Sequence, residues 1–320
     1  MTTPITSPQL KRLITIDDVA DPMQLLDAAR AFHHDPHRFS NRGHGKTVIL
    51  LFFNPSLRTR LSTQRAAQLL GMNVIVMNVT EGWKLEFEDG AVMDLDRAEH
   101  VREAAGVLSQ YADVIGVRTF ATLTDRDADY RETVIRAFQR YADVPVFSLE
   151  SATGHPLQAL ADWLTISTHA ATVRPRVVLT WAPHPKALPQ AVANSFIRWM
   201  RRADVDLVVT HPQGLELERT VVGDVPIIHE QAAALRGADF VYAKNWSAYQ
   251  PYGSIPSAHP DWMINADKMK LTNSAFFMHC LPVRRNVVVS DAVLDGPRSL
   301  VLTQARNRIY AAQAVLGSLS

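Results

Sequence analysis

The sequence has little of what marks the specialised classes of protein. Its 320 residues include a single cysteine, Cys280, which excludes an intrachain disulfide framework and is typical of a reducing compartment. The formal net charge is +1, so no charge excess points to nucleic acid or a membrane surface as a partner. There is no apolar run of about 18 residues for a membrane helix, and residues 1–4 lack the features of a secretory signal. These absences predict a cytoplasmic globular protein.

Several motifs for cofactors are missing as well. The chain has neither GxGxxG nor GxxxxGK[ST], the loops that bind dinucleotides and nucleotide phosphates, so a nicotinamide dehydrogenase is a remote interpretation. It has no HExxH and no paired CxxC, so no metal site is indicated and we expect no cofactor. Cys280 as a nucleophile would need a base, and its neighbour His279 would point to the opposite face of a strand.

What the sequence does contain is an alternation of apolar strands and longer helical segments. Short runs rich in β-branched and aromatic residues predict buried strands, and this alternation favours an α/β fold with doubly wound parallel sheets. The predicted strands are 47–53, 73–77, 113–117, 144–149, 176–180, 206–210, 239–243 and 275–279. The predicted helices are 16–34, 56–70, 99–109, 130–141, 155–168, 189–202, 229–235 and 305–319. The length predicts two domains of roughly 150 residues, which we place at 1–152 and 153–302, with a closing helix in 303–320.

The stretch Phe52-Phe53-Asn54-Pro55-Ser56-Leu57-Arg58-Thr59-Arg60 joins the end of a strand to the start of a helix. Asn54-Pro55 stops the strand, and Ser56 is a natural N-cap for the helix. The first turn of a helix has unpaired N–H groups and a partial positive charge. Further donors in this turn are Ser56, Arg58, Thr59 and Arg60. The combination predicts a phosphate site, whereas the motif by itself would equally fit a capped surface helix with two arginines.

Other polar residues follow the later predicted strands, at the edge where open parallel sheets bind their ligands. They are Arg118, Glu150, His155, His184, Lys244, Cys280, Arg284 and Arg285. Each has a plain structural explanation when taken alone; Cys280, for example, could be a small buried hydrophobe. Together they indicate more, because arginines beside a helix N-terminus suit phosphate and a histidine can donate to a carbonyl oxygen. A carboxylate and a lysine suit a zwitterionic amino-acid substrate.

Three motifs in this order resemble the aspartate/ornithine carbamoyltransferase superfamily: Ser56-Leu57-Arg58-Thr59-Arg60, His155-Pro156-Leu157-Gln158 and His279-Cys280-Leu281-Pro282. The resemblance implies two α/β domains, a C-terminal helix that returns to the first, and active sites between the subunits of a homotrimer. The chain lacks the Ser-Met-Gly loop of ordinary ornithine carbamoyltransferases. It carries Trp181-Ala182-Pro183-His184-Pro185 and Ala243-Lys244-Asn245-Trp246, which resemble the branch that carbamoylates N-acylated ornithine.

The resemblance also implies roles for the matching residues. Carbamoyl phosphate would be bound by Ser56, Leu57, Arg58, Thr59, Trp83, Arg118, His155, Gln158, Cys280, Leu281 and Arg308, with Trp83 reaching the site of a neighbouring subunit. The acylated ornithine would be bound by Glu150, His184, Lys244, Arg284 and Ala98. The catalytic residues would be Arg58, His155 and Cys280. The implied reaction moves the carbamoyl group to the δ-amine of the acylornithine in arginine biosynthesis.

Two positions bear on the identity of the acyl group. The acetyl-type branch has a glutamate in the long segment that begins at Thr80, where the succinyl type has proline. We align this position with Ala98, although a shift of one residue would bring Glu99 there; a glutamate would repel the extra succinyl carboxylate. The acetyl type also carries a lysine soon after an Arg-Arg-Asn run, which is followed here by Val287-Val288. Both differences favour N-succinylornithine over N-acetylornithine. A non-catalytic phosphometabolite-binding protein is the remote alternative.

Overall fold

The computed structural model describes residues 9–79, 82–255 and 259–319. Residues 1–4 and the start of the predicted long segment, Thr80 and Glu81, lie outside the described residues. The chain divides into two compact units: one holds residues up to 121, 127–160 and 308 onwards, and the other holds 122–126 and 161–307. Among the described helices, none has the length and apolar character needed to cross a membrane.

The first unit is built on a parallel sheet. The strands of this part are β1 (Arg12–Leu13), β2 (Thr47–Phe52), β3 (Asn73–Asn78), β4 (Leu85–Glu86), β5 (Glu99–His100), β6 (Val114–Arg118) and β7 (Val146–Glu150). The α-helices along it are α1 (Pro22–His34), α2 (Arg58–Leu69), α3 (Val101–Tyr111), α4 (Arg126–Arg131) and α5 (Thr133–Tyr141). The order in the described sheet is β1-β7-β6-β2-β3, and β4 pairs separately with β5.

The second unit repeats this plan. Its strands are β8 (Arg176–Trp181), β9 (Asp206–Thr210), β10 (Ile227–Ile228), β11 (Phe240–Lys244) and β12 (Phe276–Met278). The α-helices from residue 156 onwards are α6 (Pro156–His169), α7 (Ala191–Met200), α8 (Arg219–Val222), α9 (Gln231–Leu235), α10 (Ala266–Met269), α11 (Asp291–Leu294) and α12 (Val301–Leu319). The strands are parallel in the order β10-β9-β8-β11-β12. The predicted fold of two parallel α/β sheets is therefore confirmed.

The divisions between the units fall inside α6 and α12, after residues 160 and 307. The limits placed from the sequence, 152 and 302, lie before these points. Each of the two helices contributes its first and last turns to different units, and a sequence pattern does not register such a division because the helical periodicity continues through it.

The centre of the first sheet is buried and mostly apolar, and its packing sets the position of two charged residues. Strands buried on both faces read as continuous apolar runs, and β6 and β7 are buried along their whole length. Gly116 makes room for the ring of Phe147, because a Cβ there would lie 2.7 Å from Phe147 Cζ. A register shift between Val117 and Arg118 then brings Arg118 opposite Glu150 at the carboxyl ends of the two strands.

Three local predictions were wrong. The helix predicted over 16–34 is divided into a 3-10 turn at Ile16–Asp18 and α1, which begins at Pro22 because Asp21 caps its first turn. Helix α2 has Leu57 rather than Ser56 at its N-cap position, although Ser56 Oγ still accepts a hydrogen bond from the backbone N–H of Thr59 at 3.3 Å. The helix predicted over 130–141 is interrupted at Glu132, which has a left-handed backbone with φ of 51°. The two-residue strands β1, β4, β5 and β10 were not predicted, because so short a segment shows no periodicity.

Candidate active site

A buried network of hydrogen bonds lies just beyond the carboxyl ends of the strands of the first unit. We call it the guanidinium cluster, and its members are Thr59, Arg118, Glu150, His155, Gln158 and Arg308. Every member is at most 8% exposed. The structure therefore brings together six residues that are spread over 250 positions of sequence and that the sequence analysis named separately.

The hydroxyl of Thr59 is the centre of the cluster. It accepts a hydrogen bond from Arg308 Nη2 at 2.6 Å and another from Arg118 Nη1 at 3.2 Å. A threonine hydroxyl has two acceptor positions and one donor proton. Because both acceptor positions are used by guanidinium groups, the hydroxyl of Thr59 can only donate to a further ligand.

Arg118 is held by a carboxylate and a ring. Its Nη1 lies 2.5 Å from Glu150 Oε2, and its guanidinium carbon lies 4.4 Å from the centre of the Phe120 ring. Arg118 Nε has no hydrogen-bond acceptor among the described residues. The carboxylate of Glu150 is the partner of Arg118, and its predicted role in binding the acylated ornithine stays a prediction.

Arg308 connects the last helix to the residues around His155. Its Nη1 donates to Gln158 Oε1 at 2.9 Å, and its Nη2 lies 3.4 Å from His155 Nε2. Since a guanidinium group can only donate, this contact favours the neutral tautomer of His155 that carries its proton on Nδ1. Glu150 Oε2 lies 3.5 Å from the same Nε2.

The loop that precedes His155 is fixed by a buried carboxylate that the sequence analysis did not single out. Oε1 of Glu132 accepts hydrogen bonds from the hydroxyls of Ser151 and Thr153 and from the backbone N–H of Thr153. Glu132 therefore has two features: its left-handed backbone interrupts the predicted helix, and its carboxylate orients this loop. An acid in the middle of a predicted helix was the only sequence signal for it.

The first turn of α2 supplies the remaining predicted phosphate residues. Arg58 begins the helix and is half-buried, and Leu57 before it is 66% exposed. Arg60 points elsewhere: its guanidinium group donates to Asn78 Oδ1 and lies 4.8 Å from the centre of the Phe52 ring. Arg60 therefore does not join the cluster, although the sequence placed it among the donors.

Two predicted site residues, Trp83 and Ala98, belong to the long segment of the first unit. Trp83 Nε1 donates to Glu99 Oε2 at 2.8 Å. Ala98 is exposed, and its backbone N–H donates to the carbonyl oxygen of Lys84 at 3.0 Å. The side chain of Ala98 is thus open to solvent, whereas the carboxylate of Glu99 is engaged within its own chain.

Three predicted acceptor residues meet in the second unit. His184 follows β8, Lys244 ends β11, and Arg284 is exposed beyond β12. Partial burial lowers the pKa of His184, and the positive charges of Lys244 and Arg284 lower that pKa further, against the opposing effect of the Lys186 carbonyl. His184 is therefore neutral at pH 7 beside two cations. Arg285, in contrast, pairs with Asp291 and Asp295 at the surface.

The segment after β12 is held by a chain of buried amide and carboxylate groups. The backbone N–H of His279 donates to Gln304 Oε1, and Gln304 Nε2 donates to Asp162 Oδ1, each at 2.8 Å. His279 Nδ1 in turn accepts from the N–H of Leu281, whose φ of 57° lies in the left-handed region. Such strain in a non-glycine residue persists only where the surroundings enforce it.

Cys280 is buried close to Tyr242 and Asp162. Burial raises the pKa of the Tyr242 hydroxyl, and the neighbouring Asp162 and Cys280 raise it further. The cysteine thus lies beside a tyrosine that stays protonated. Gln304 and Asp162 were not predicted from the sequence, because buried polar residues on helices have no motif of their own.

Family models and known relatives match the chain over most of its length. The model described as the carbamoyl-P binding domain of aspartate/ornithine carbamoyltransferase matches residues 11–168, and the model of the Asp/Orn binding domain matches residues 189–319. The chain is 49% identical to N-succinylornithine carbamoyltransferase of Bacteroides thetaiotaomicron, over 97% of this chain and 98% of the relative. It is 37% identical to N-acetylornithine carbamoyltransferase of Xylella fastidiosa, over 92% and 94%.

Solved structures show the same fold. One is a glutamate-to-alanine mutant of N-acetyl-L-ornithine transcarbamylase in complex with carbamyl phosphate and N-succinyl-L-norvaline. It superposes with a TM-score of 0.89 at 36% sequence identity and covers 97% of this chain and 100% of that one.

Thr59 and Thr63 offer a matched test of the guanidinium cluster. Both lie buried on α2, but Thr63 Oγ1 has no hydrogen-bond partner among the described residues. Thr59→Val removes the acceptor of two guanidinium groups and should lower the free energy of unfolding by about 1–3 kcal/mol. Thr63→Val loses only an unsatisfied hydroxyl and should leave stability unchanged or raise it. Urea denaturation midpoints measure both, and equal midpoints for the two variants would contradict the central role of Thr59.

Proposed function

Because the chain belongs to the aspartate/ornithine carbamoyltransferase family, we propose that it transfers the carbamoyl group of carbamoyl phosphate to the δ-amine of N-succinyl-L-ornithine. The products are N-succinyl-L-citrulline and phosphate, and the reaction serves arginine biosynthesis. The observation that carries the proposal is the similarity over nearly the whole chain to an N-succinylornithine carbamoyltransferase, combined with a cluster of buried guanidinium groups.

The guanidinium cluster has the chemistry of an anion site. Two guanidinium groups, those of Arg118 and Arg308, donate to the hydroxyl of Thr59, and the carboxylate of Glu150 pairs with Arg118. Buried cations are stable only when charges and hydrogen bonds compensate them, and the Nε of Arg118 has no acceptor among the described residues. A phosphate supplies both negative charge and acceptor oxygens. The N-terminus of α2, at Arg58, adds the partial positive charge of a helix start.

In this proposal the neutral δ-amine attacks the carbonyl carbon of carbamoyl phosphate, the bond from that carbon to the phosphate oxygen breaks, and the leaving phosphate takes the proton that the amine loses. Negative charge develops on the carbonyl oxygen, where Arg58, the hydroxyl proton of Thr59 and the ring N–H of His155 stabilise it. Arg58, Arg118 and the first-turn groups of Ser56 and Leu57 hold the departing phosphate. Gln158 and Arg308 position His155 and Thr59 through the bonds described above. The contributions of Trp83, Cys280 and Leu281 stay predictions from the resemblance.

The acceptor residues of the second unit suit an acylated rather than a free ornithine. Acylation removes the positive charge of the α-amine and leaves the α-carboxylate as the charged group at that end. Lys244 and Arg284 supply positive charge for a carboxylate, and the neutral His184 can hydrogen-bond without adding charge. The succinyl group brings one more carboxylate, which the acetyl group lacks.

Position 98 supports succinyl over acetyl. Ala98 is exposed and uncharged, and the alternative alignment would use Glu99, whose carboxylate is bound by the Trp83 indole. In the N-acetyl-L-ornithine transcarbamylase mutant, a glutamate has been replaced by alanine and the ligand is N-succinyl-L-norvaline. N-acetylornithine is the alternative acceptor, since relatives with that name are also similar to the chain. The homotrimer and the cytoplasmic location stay predictions.

A side-by-side assay tests the acceptor. Purified protein with carbamoyl phosphate should turn over N-succinylornithine with a kcat/KM at least about 10-fold above that for N-acetylornithine, since one charge contact supplies about that factor. Free ornithine and aspartate should give no product. Mass spectrometry of the citrulline product and phosphate release measure the rates. A preference for N-acetylornithine would contradict the succinyl assignment, and carbamoyl phosphate binding without turnover of any acceptor would favour a non-catalytic protein.

Arg58→Ala tests the phosphate assignment. Loss of a donor that acts on developing charge should lower kcat/KM by about 100-fold or more, with an unchanged denaturation midpoint. Arg65→Ala is the matched control, because Arg65 is an exposed arginine on the same helix; its activity should equal that of the unmodified chain. An Arg58→Ala protein with near-normal kcat/KM would contradict the assignment.

Ala98→Glu tests the basis of acyl specificity. A carboxylate at this position should repel the succinyl carboxylate and lower the succinyl-to-acetyl ratio of kcat/KM by about 10-fold. Ala98→Gln has nearly the same size without the charge and should leave that ratio close to its original value. The ratio is measured with both acceptors on each variant, and if Ala98→Glu and Ala98→Gln give the same ratio, charge at position 98 is not what selects the acyl group.

A further inference from the structure

Two histidines and a glutamate converge at the outer edge of the second sheet. His211 directly follows β9 and His229 directly follows β10, and the two strands pair in parallel with Thr210 opposite Ile228. The register therefore makes the two histidines neighbours. Glu216 comes from the loop after His211. One ligand atom from each of the three side chains lies within 4.8 Å of the others.

The hydrogen bonds of the rings fix their tautomers. His211 Nδ1 lies 2.8 Å from the carbonyl oxygen of Pro212, and His229 Nδ1 lies 3.0 Å from the carbonyl oxygen of His211. A carbonyl oxygen only accepts, so Nδ1 carries the ring proton in each neutral histidine and Nε2 carries a lone pair. Metal-binding histidines show this same arrangement, with one ring nitrogen bonded to a carbonyl and the other on the ion.

The lone pair on His211 Nε2 accepts no hydrogen bond from the described residues. The residue is 1% exposed, and its Nε2 has no hydrogen-bond partner among the described residues. A buried acceptor without a donor costs about 1–3 kcal/mol. Glu216 and His229 are exposed and leave a path by which an ion can enter.

The loop that carries Glu216 is held in place from both sides. Gly214 N–H donates to Glu216 Oε1 at 3.1 Å, which orients the carboxylate. Trp246 Nε1 donates to the carbonyl oxygen of Leu215 at 2.8 Å, and Tyr249 N–H donates to that of Glu216 at 3.2 Å. The carboxylate is therefore positioned by the fold before any ligand binds, which lowers the cost of assembling a site.

We propose that His211, Glu216 and His229 bind a borderline divalent transition-metal ion, with Zn²⁺ as the representative. Two imidazole nitrogens and one carboxylate oxygen are a ligand set that Zn²⁺ takes, with water in the fourth position. Ligand atoms on tetrahedral zinc lie about 3.3 Å apart, so small side-chain rotations close the observed separations. The motif search on the sequence missed this site because its ligands follow a two-residue strand and a loop, with no fixed spacing.

The ion would act on the structure of this edge. It would tie β10 to β9 and to the loop that Trp246 anchors, and the ring of Trp246 lies 6.2 Å from that of His211. Trp246 belongs to the segment after β11, two residues beyond Lys244. Metal binding is thus expected to stabilise the second unit, and it contributes no group to the chemistry proposed above.

The test is a titration of the full, chelator-treated chain with Zn²⁺ alone, by isothermal titration calorimetry. His229→Ala and Glu216→Gln alter exposed residues and should bind Zn²⁺ at least about 10-fold more weakly, with loss of the Zn²⁺-induced rise in thermal midpoint. His34→Ala removes an exposed histidine of the first unit and should leave the affinity unchanged. Co²⁺ in place of Zn²⁺ should give the visible absorption of a tetrahedral site, absent in His229→Ala.

Either of two results would overturn the proposal. In one, the unmodified chain binds no Zn²⁺. In the other, the His229→Ala and Glu216→Gln proteins bind Zn²⁺ as tightly as the unmodified chain does. Carbamoyl transfer is measured separately and without added metal, so failure of the metal site leaves the proposed function untouched, and the reverse also holds.

Discussion

The hydroxyl of Thr59, shared between Arg118 and Arg308, is the contact on which the first unit's polar interior depends. It joins the start of α2, the end of β6 and the last helix, which come from widely separated parts of the sequence. Two guanidinium groups repel each other when buried, and a neutral acceptor between them cannot cancel their charge. Glu150 offsets the charge of Arg118, and in the proposed function the phosphate of the substrate supplies further negative charge.

The closing helix serves both units through residues one turn apart. Gln304, in the second unit, orients the backbone of His279 and is itself held by Asp162. Arg308, in the first, binds Thr59 and Gln158. A helix that supplies buried polar contacts to each unit explains why so much of its length is buried although several of its residues are polar.

The parts of this molecule that follow from periodicity and turn chemistry could be predicted, and the parts that depend on side-chain direction could not. The strand ends at Arg118, Glu150 and Lys244 follow from apolar runs that stop at a charge. Nothing in the sequence distinguishes the directions of the Arg58 and Arg60 side chains. A helix turns by about 100° per residue, and the residue that accepts a hydrogen bond from Arg60 is Asn78 at the end of β3. The grouping of His211, Glu216 and His229 was not predicted either, because it also depends on side-chain direction.

In the proposed function, the charges described in the second unit favour an acylated over a free ornithine. A free ornithine presents an α-ammonium, which nearby cations repel. The residues that meet here are two cations, Lys244 and Arg284, and a histidine whose pKa burial and those cations lower. A cationic group brought to them would be repelled, whereas each carboxylate of an acylornithine would be attracted. Because the succinyl derivative carries one carboxylate more than the acetyl derivative, the same cations favour it further unless an acid elsewhere opposes the second charge.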